Sequence, residues 1–254
     1  MAPVAVAFSG GVDSSLLLKV AHDTLGERCV AVTVDAPYHF RQELADAACL
    51  ARQLGVIQLL IPFAPATIPN LMNNPTDRCY LCKKALLNLC RTALIPAPWS
   101  LVDGSTLDDQ TAHRPGLRAL KELGIRSPLA EAGFTKQDVR NLSLQLGLSS
   151  WDKPAQSCLL TRFPHDQPIT EADLQRVEWC EQKIKALGFS MVRVRSVGTI
   201  ARLEFEVGEL AQARLPDLLD QIETICRATG FGEVLLDPLG YRSGSMDIKT
   251  GTSP

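Results

Sequence analysis

The chain has 254 residues, 46% of them hydrophobic and 21% charged, and a formal net charge of −2. That length allows one large domain or two modest ones with full apolar cores, and the near-neutral balance argues against a nucleic-acid partner. No apolar run approaches the ~18–20 residues that span a bilayer, and Met1-Ala2-Pro3 leads directly into an apolar strand, so a cytoplasmic chain without a membrane partner is expected.

Val4 to Phe8 is short, apolar and β-prone, as a buried strand should be. Leu16 to Ala21 reads as a helix. Between them runs Ser9-Gly10-Gly11-Val12-Asp13-Ser14-Ser15. Its glycines let the backbone approach an oxyanion. Its hydroxyls and the amides at the helix start donate hydrogen bonds, and the helix dipole favours negative charge there. The loop is expected to hold a phosphate group, and it is not of the Walker type because no Gly-Lys-Ser/Thr follows. The pattern Ser-Gly-Gly-x-Asp-Ser after a first strand resembles the PP-loop of the ATP pyrophosphatase superfamily. The resemblance implies cleavage of ATP between its α and β phosphates, adenylation of a substrate, and ATP contacts at Ser9, Gly10, Gly11, Asp13, Ser14 and Ser15.

Cys29 to Asp35 is a second buried strand. Arg41 to Leu54 is helical, with Gly55 just past its end, and Val56 to Ile61 is a third strand stopped by Pro62. Strands alternating with helices imply an α/β fold with a doubly wound parallel sheet. Ligands of such sheets bind at the carboxyl ends of the strands. Ser9 lies at one such end and Asp35 at another, where Asp35 either meets a ribose or metal or caps a turn. After a loop from Pro62 to Asn74, Thr76 or Asp77 caps a helix carrying Cys79 and Cys82, three apart on one face near its N-terminus. That place lowers a thiol pKa, and Arg78, Lys83 and Lys84 lower it further. Two such thiolates bind a metal centre or form a redox pair, whereas structural zinc needs four ligands. The chain has eight cysteines, too sparse for a disulfide scaffold and in keeping with a reducing compartment. Cys29, Cys49, Cys90, Cys180 and Cys226 are expected as small core residues.

Trp99 to Ser105 is a fourth strand, ending in Asp103-Gly104-Ser105 at the same sheet edge. Asp108, Asp109 and His113 follow in a polar loop, His113 being either a ligand or a solvent-facing side chain. Leu117 to Leu123 is a short helix, Ser127-Pro128-Leu129 crosses back, and Thr135 to Leu146 is a helix with Thr135 and Asp138 as a capping box. Trp151 to Arg162 is polar and irregular, a linker that carries function. Thr170 to Leu187 is an amphipathic helix. Met191 to Arg195 alternates, placing Arg193 and Arg195 on one face, and Ala201 to Val207 likewise gives Arg202, Glu204 and Glu206 a common face. A helix from Leu215 to Thr229, a strand from Glu233 to Asp237 and a polar tail complete an α+β module. The domains expected are 1–150, doubly wound α/β, and 151–254, smaller and α+β, with the active site between them.

Several segments together resemble the LarE family of ATP-dependent sulfur transferases in nickel-pincer nucleotide synthesis. They are Phe8-Ser9-Gly10-Gly11-Val12-Asp13-Ser14-Ser15, Asp77-Arg78-Cys79-Tyr80-Leu81-Cys82-Lys83-Lys84, Asp103-Gly104-Ser105, Arg114-Pro115-Gly116-Leu117-Arg118, Trp151-Asp152-Lys153-Pro154 with Cys158, Val192-Arg193-Val194-Arg195 and Gly240-Tyr241-Arg242-Ser243-Gly244-Ser245. The resemblance implies that ATP and Mg²⁺ activate a carboxylate of pyridinium-3,5-biscarboxylic acid mononucleotide as an acyl adenylate, and that sulfur then displaces AMP. It implies Cys158 as the sulfur-bearing cysteine and substrate contacts at Arg162, Arg193, Arg195 and Glu204. As guanidinium forks, Arg193 and Arg195 suit a substrate phosphate; a solvated face paired with Glu204 is the alternative. One branch of the family consumes the sulfur of this cysteine, leaving dehydroalanine. Another holds a [4Fe–4S] cluster on three cysteines, which Cys79, Cys82 and Cys158 match here, so this branch is the one expected. The family also implies a homo-oligomer and a separate sulfide source. The competing readings are a tRNA thiolase of the same superfamily, which a missing Lys/Arg stripe argues against, and a nucleotide sensor without turnover.

Overall fold

A computed structural model of the chain describes residues 2–95, 99–111, 115–242 and 244–246. The chain divides into two units, Met1–Leu71 with Asp77–Gln156, and Met72–Thr76 with Ser157–Pro254. No helix among the described residues is long and apolar enough to cross a membrane.

In the first unit, β1 (Val4–Ala7), β2 (Cys29–Asp35), β3 (Ile57–Pro62) and β4 (Ser100–Val102) form a parallel sheet in the order β3-β2-β1-β4. Val4 pairs with Cys29 on one side and Ser100 on the other, which makes β1 a central strand. The helices are α1 (Val12–Leu25), α2 (Arg41–Gln53), α3 (Arg78–Ala93), α4 (Leu107–Thr111), α5 (Gly116–Leu123), α6 (Pro128–Glu131) and α7 (Lys136–Gln145). Alternate strand residues serve two cores. Val6, Cys29 and Ala31 pack with Leu16 and Leu18 of α1, Leu50 of α2 and Val139 of α7. Ala5, Val30, Val32 and Val34 pack with Leu87 and Cys90 of α3 and Leu120 of α5. Both faces are therefore covered. This doubly wound arrangement explains why β1 and β2 read as unbroken apolar runs rather than alternating ones.

Three expectations need correction. Asp108 and Asp109 do not lie in a loop but open α4, where Asp109 Oδ2 accepts from Thr106 N (3.0 Å) and Thr106 Oγ1 (3.1 Å) as a local cap. The segment at Pro128 crosses back as the short helix α6, while Arg126 bridges Val102 in parallel. Cys49 is exposed, because α2 buries Ala47, Leu50 and Ala51 and position 49 falls on the opposite side of that helix. The other four cysteines assigned to the core are buried. Thr135 and Asp138 do form a capping box at α7. His113 lies outside the described residues.

In the second unit, β5 (Val192–Val197), β6 (Ile200–Phe205) and β7 (Glu233–Leu236) form a sheet in that order, β5 antiparallel and β7 parallel to β6. The helices are α8 (Glu171–Lys185), with a Thr170–Asp173 capping box, α9 (Leu210–Ala213) and α10 (Pro216–Ala228). Leu174, Val177 and Ile184 of α8 pack away completely, as do Val192, Leu203, Phe205 and Ile222. Cys180 and Cys226 are also fully buried, with their sulfurs 3.4 Å apart. Alternation along β5 predicts one polar face, yet Val192 to Ser196 are all buried. The segment Met72–Thr76 belongs here because Asn74 Nδ2 donates to the carbonyls of Phe163 (3.1 Å) and Pro164 (2.8 Å), and Ile169 N donates to Met72 O (2.7 Å).

Candidate active site

The order of the first sheet places its switch point between β1 and β4, and the loops after those two strands meet there. Gly10 has φ +75°, and a Cβ on it would come within 2.8 Å of the Ala47 Cβ, so α2 packs directly on the loop. A Cβ on Gly104 would sit 3.0 Å from the Ser14 backbone, so the β4 loop closes on the start of α1. Ser14 Oγ knits the turn: it accepts from Ser9 N (3.3 Å), lies 3.2 Å from Ser9 Oγ and donates to Gly11 O (3.2 Å). No side chain caps α1 at Gly11, and the Ser15 hydroxyl is buried with no hydrogen-bond partner among the described residues. A helix start with uncapped amides suits an anion. Gly10→Ala is expected to cost about 1–2 kcal/mol for the left-handed backbone alone, with the clash against Ala47 added. Thermal denaturation with and without ATP checks this: a lower Tm and a lost ATP-dependent shift are expected.

Around this loop the charges are mutually engaged. Lys136 Nζ lies 3.3 Å from Asp13 and 3.2 Å from Asp109. Asp35 is ion-paired with Arg41 at 2.5 Å, at the strand end expected of it. Asp103 Oδ1 accepts from the Ser105 amide (2.8 Å), the Ser105 hydroxyl and Ser127 Oγ (3.3 Å), and Asp103 Oδ2 takes Lys83 at 3.0 Å. Trp151 to Lys153 is not a free linker. Arg140 donates to the carbonyls of Trp151 (2.9 Å) and Lys153 (3.0 Å), and Lys153 Nζ pairs with Glu43 and Asp46 of α2. A cleft of about 180 Å³ remains here, bordered by Gly10, Asp46, Cys49, Ser150 and Lys153.

The two thiols of α3 sit one turn apart, Cys79 exposed and Cys82 half-buried. Asp77 is at the N-cap position, but its side chain makes no capping bond. Lys83 and Lys84 are each paired with a carboxylate, Asp103 and Glu122, so their charge is less available to the thiols than the sequence suggests. Tyr38, 1% exposed, places its hydroxyl 3.0 Å from Cys82 Sγ.

In the second unit the arginines expected as substrate contacts are buried. Arg162, fully buried, donates from Nε and Nη2 to the two oxygens of Glu181 (2.8 and 3.1 Å). Its Nη1 reaches Ser157 Oγ (2.7 Å), Thr161 Oγ1 (2.9 Å) and the Cys158 carbonyl (3.4 Å). Arg195 makes two bonds to Glu204 Oε2 (2.9 and 2.6 Å) and a third to the Thr161 carbonyl (3.0 Å). Arg193 lies opposite Glu204 in the register and donates to the Val192 carbonyl. The Tyr241 ring stands 5.5 Å from its guanidinium. Burial, and then the Arg162 charge, push the pKa of Arg193 down to about 10. The pairing with Glu204 holds for Arg195, but the face is buried rather than solvated, with Glu181 of α8 bound to the Val194 amide and the Thr161 carbonyl to Arg195. Half-buried Cys158 is mounted on this cluster through the bond from Arg162 to its carbonyl.

The asparagine synthase family model matches residues 1–78. The chain is 37% identical over 249 residues to the pyridinium-3,5-bisthiocarboxylic acid mononucleotide synthase of Lactiplantibacillus plantarum, across 96% of this chain and 88% of that one. The chain belongs to the LarE family. It is also similar to an uncharacterised protein of Synechocystis, at 40% identity across 95% of this chain and 91% of the other. A Methanocaldococcus jannaschii protein is 30% identical across 94% and 91% of the two chains. As a LarE-family member it is a PP-loop enzyme.

Cys79 and Cys82 of this LarE chain belong to the first unit and Cys158 to the second. Among the described residues no three His, Cys, Asp or Glu side chains are grouped to hold a metal ion. The donor set itself fits an iron–sulfur group: an exposed and a half-buried thiol one helical turn apart and a third, also half-buried, all uncommitted to disulfides. Sequence reading missed Tyr38, Lys136 and Glu181. Lys136 meets Asp13 across 123 residues, and nothing local signals such a pairing.

Proposed function

We propose that this LarE-family chain is an ATP-dependent sulfur transferase that converts the carboxylates of pyridinium-3,5-biscarboxylic acid mononucleotide to thiocarboxylates. The observation that carries the reading is the mounting of Cys158 on buried guanidiniums: Arg162 and Arg195 bind the carbonyls of Cys158 and Thr161, with Arg193 beside them. A cysteine whose backbone is fixed beside an excess of positive charge suits sulfur transfer to a phosphate-bearing substrate. Arg162, Arg193 and Arg195, oriented by Glu181 and Glu204, would receive the substrate phosphate. Ser9, Gly10, Gly11, Ser14 and Ser15 would hold the phosphates of ATP. Asp13, a partly exposed carboxylate at the start of α1, suits Mg²⁺, which would neutralise the departing pyrophosphate. Cys79, Cys82 and Cys158 would ligate a [4Fe–4S] cluster, whose open iron site supplies sulfide when the cluster is bound. The sacrificial use of Cys158 sulfur is the second reading, and a half-buried thiol outside any disulfide, on a segment held by its backbone, supports it.

Iron and acid-labile sulfide in anaerobically purified protein separate the two. About four irons per chain, lost in Cys79→Ala, are expected. Iron-free protein that thiolates substrate and acquires dehydroalanine at position 158 would overturn the cluster in favour of the sacrificial route. Arg193→Ala is expected to weaken binding of the nucleotide substrate about tenfold or more while leaving ATP binding intact, on the scale of one lost charge-assisted bond; isothermal titration with each ligand checks this. Equal losses for both ligands would count against the phosphate role.

A further inference from the structure

The loop between β2 and α2 is built to hold one phenol. Pro37 restricts its backbone. Arg41 reaches back to the Asp35 carboxylate (2.5 Å), the Ala36 carbonyl and the His39 carbonyl (3.1 Å). His39 Nδ1 lies 3.0 Å from the Val34 carbonyl. The His39 and Phe63 rings meet Tyr38 edge-on, at 4.9 and 6.3 Å. A buried tyrosine needs a partner for its hydroxyl, and here that partner is the Cys82 sulfur, 3.0 Å away and 44 residues further along the chain. A thiolate only accepts, so with Cys82 ionised the phenol donates.

We propose that Tyr38 is a positioning residue for the sulfur chemistry, fixing the Cys82 sulfur and drawing off part of its negative charge. The proposal rests on the cluster reading above. The two α3 thiols are then unequal: Cys79 faces solvent, and Cys82 is held by a rigid donor. A donor to a ligand sulfur favours the more negative, reduced form of an iron–sulfur group and so raises its potential. It also keeps the sulfur in place when iron is pulled on.

The test is Tyr38→Phe, which keeps the ring packing, in anaerobically purified full-length protein. Iron content immediately after purification should match the wild type. The reduction potential should move to a more negative value, a readout that a merely structural role would not shift. Release of iron to a chelator should quicken about tenfold, the scale of one hydrogen bond to a charged group. Iron present in both proteins with the same potential and the same release rate would overturn the role of Tyr38 alone. Iron absent from the wild type would overturn the cluster reading and this proposal with it.

Discussion

Cys158→Ala is expected to abolish sulfur transfer while leaving the fold and ATP binding in place. The backbone at position 158 has φ −61° and ψ 156°, which alanine adopts without strain. Arg162 Nη1, Thr161 N and Thr161 Oγ1 all bind the Cys158 carbonyl, so removing the sulfur leaves these three bonds in place. The loss of thiocarboxylate product should be on the order of a thousandfold or more, the range in which removal of a reacting nucleophile falls. Pyrophosphate release with ATP and substrate should persist, since adenylation precedes sulfur entry. Product by mass spectrometry and pyrophosphate by a coupled assay read the two steps separately. Thiolation at the wild-type rate would refute the role of Cys158.

Glu181→Gln is expected to produce the largest loss of stability. Glu181 is fully buried and accepts from Arg162 Nε and Nη2 and from the Val194 amide (2.9 Å). Burial raises its pKa, but the Arg162 charge and hydrogen bonds, then Arg193 and the Val194 amide, outweigh burial and hold it below the usual range. Without its charge, two buried guanidiniums lose their shared counter-ion. Breaking a buried pair from one side costs about 3–5 kcal/mol, against a total stability of about 5–15 kcal/mol. The pH dependence follows from the lowered pKa. The stabilisation by Glu181 is complete above the ordinary glutamate range near about 4.3 and is lost as pH falls through the depressed folded value. Urea midpoints measured from pH 7 downward should therefore converge for wild type and variant in acid. A constant gap at every pH would show that the charge is not what stabilises.

How much of this was legible depends on sequence distance. The phosphate loop could be read because its parts are contiguous: a strand, two glycines, hydroxyls and a helix start. The capping boxes at Thr135 and Thr170 are likewise set within three residues. Cys49 was misplaced because residue type alone does not say which side of α2 it occupies. Arg193 and Arg195 were rightly put on one face of β5, but alternation cannot tell a wet face from one covered by another segment. The pairs that organise the sites, Arg162 with Glu181 and Tyr38 with Cys82, join elements 19 and 44 residues apart. They exist only once the chain has folded.

The five residues Met72–Thr76 carry a consequence for how the molecule comes into being. They are made about ninety residues or more before Phe163, Pro164 and Ile169, the groups whose carbonyls and amide they satisfy. The chain therefore passes from one unit to the other and back before settling in the second. The second unit is therefore incomplete as a C-terminal piece on its own. A fragment beginning at Ser157 would leave the carbonyls of Phe163 and Pro164 without the amide that binds them. Growth of this fold by simple fusion of two ready-made halves would have to supply that strap as well.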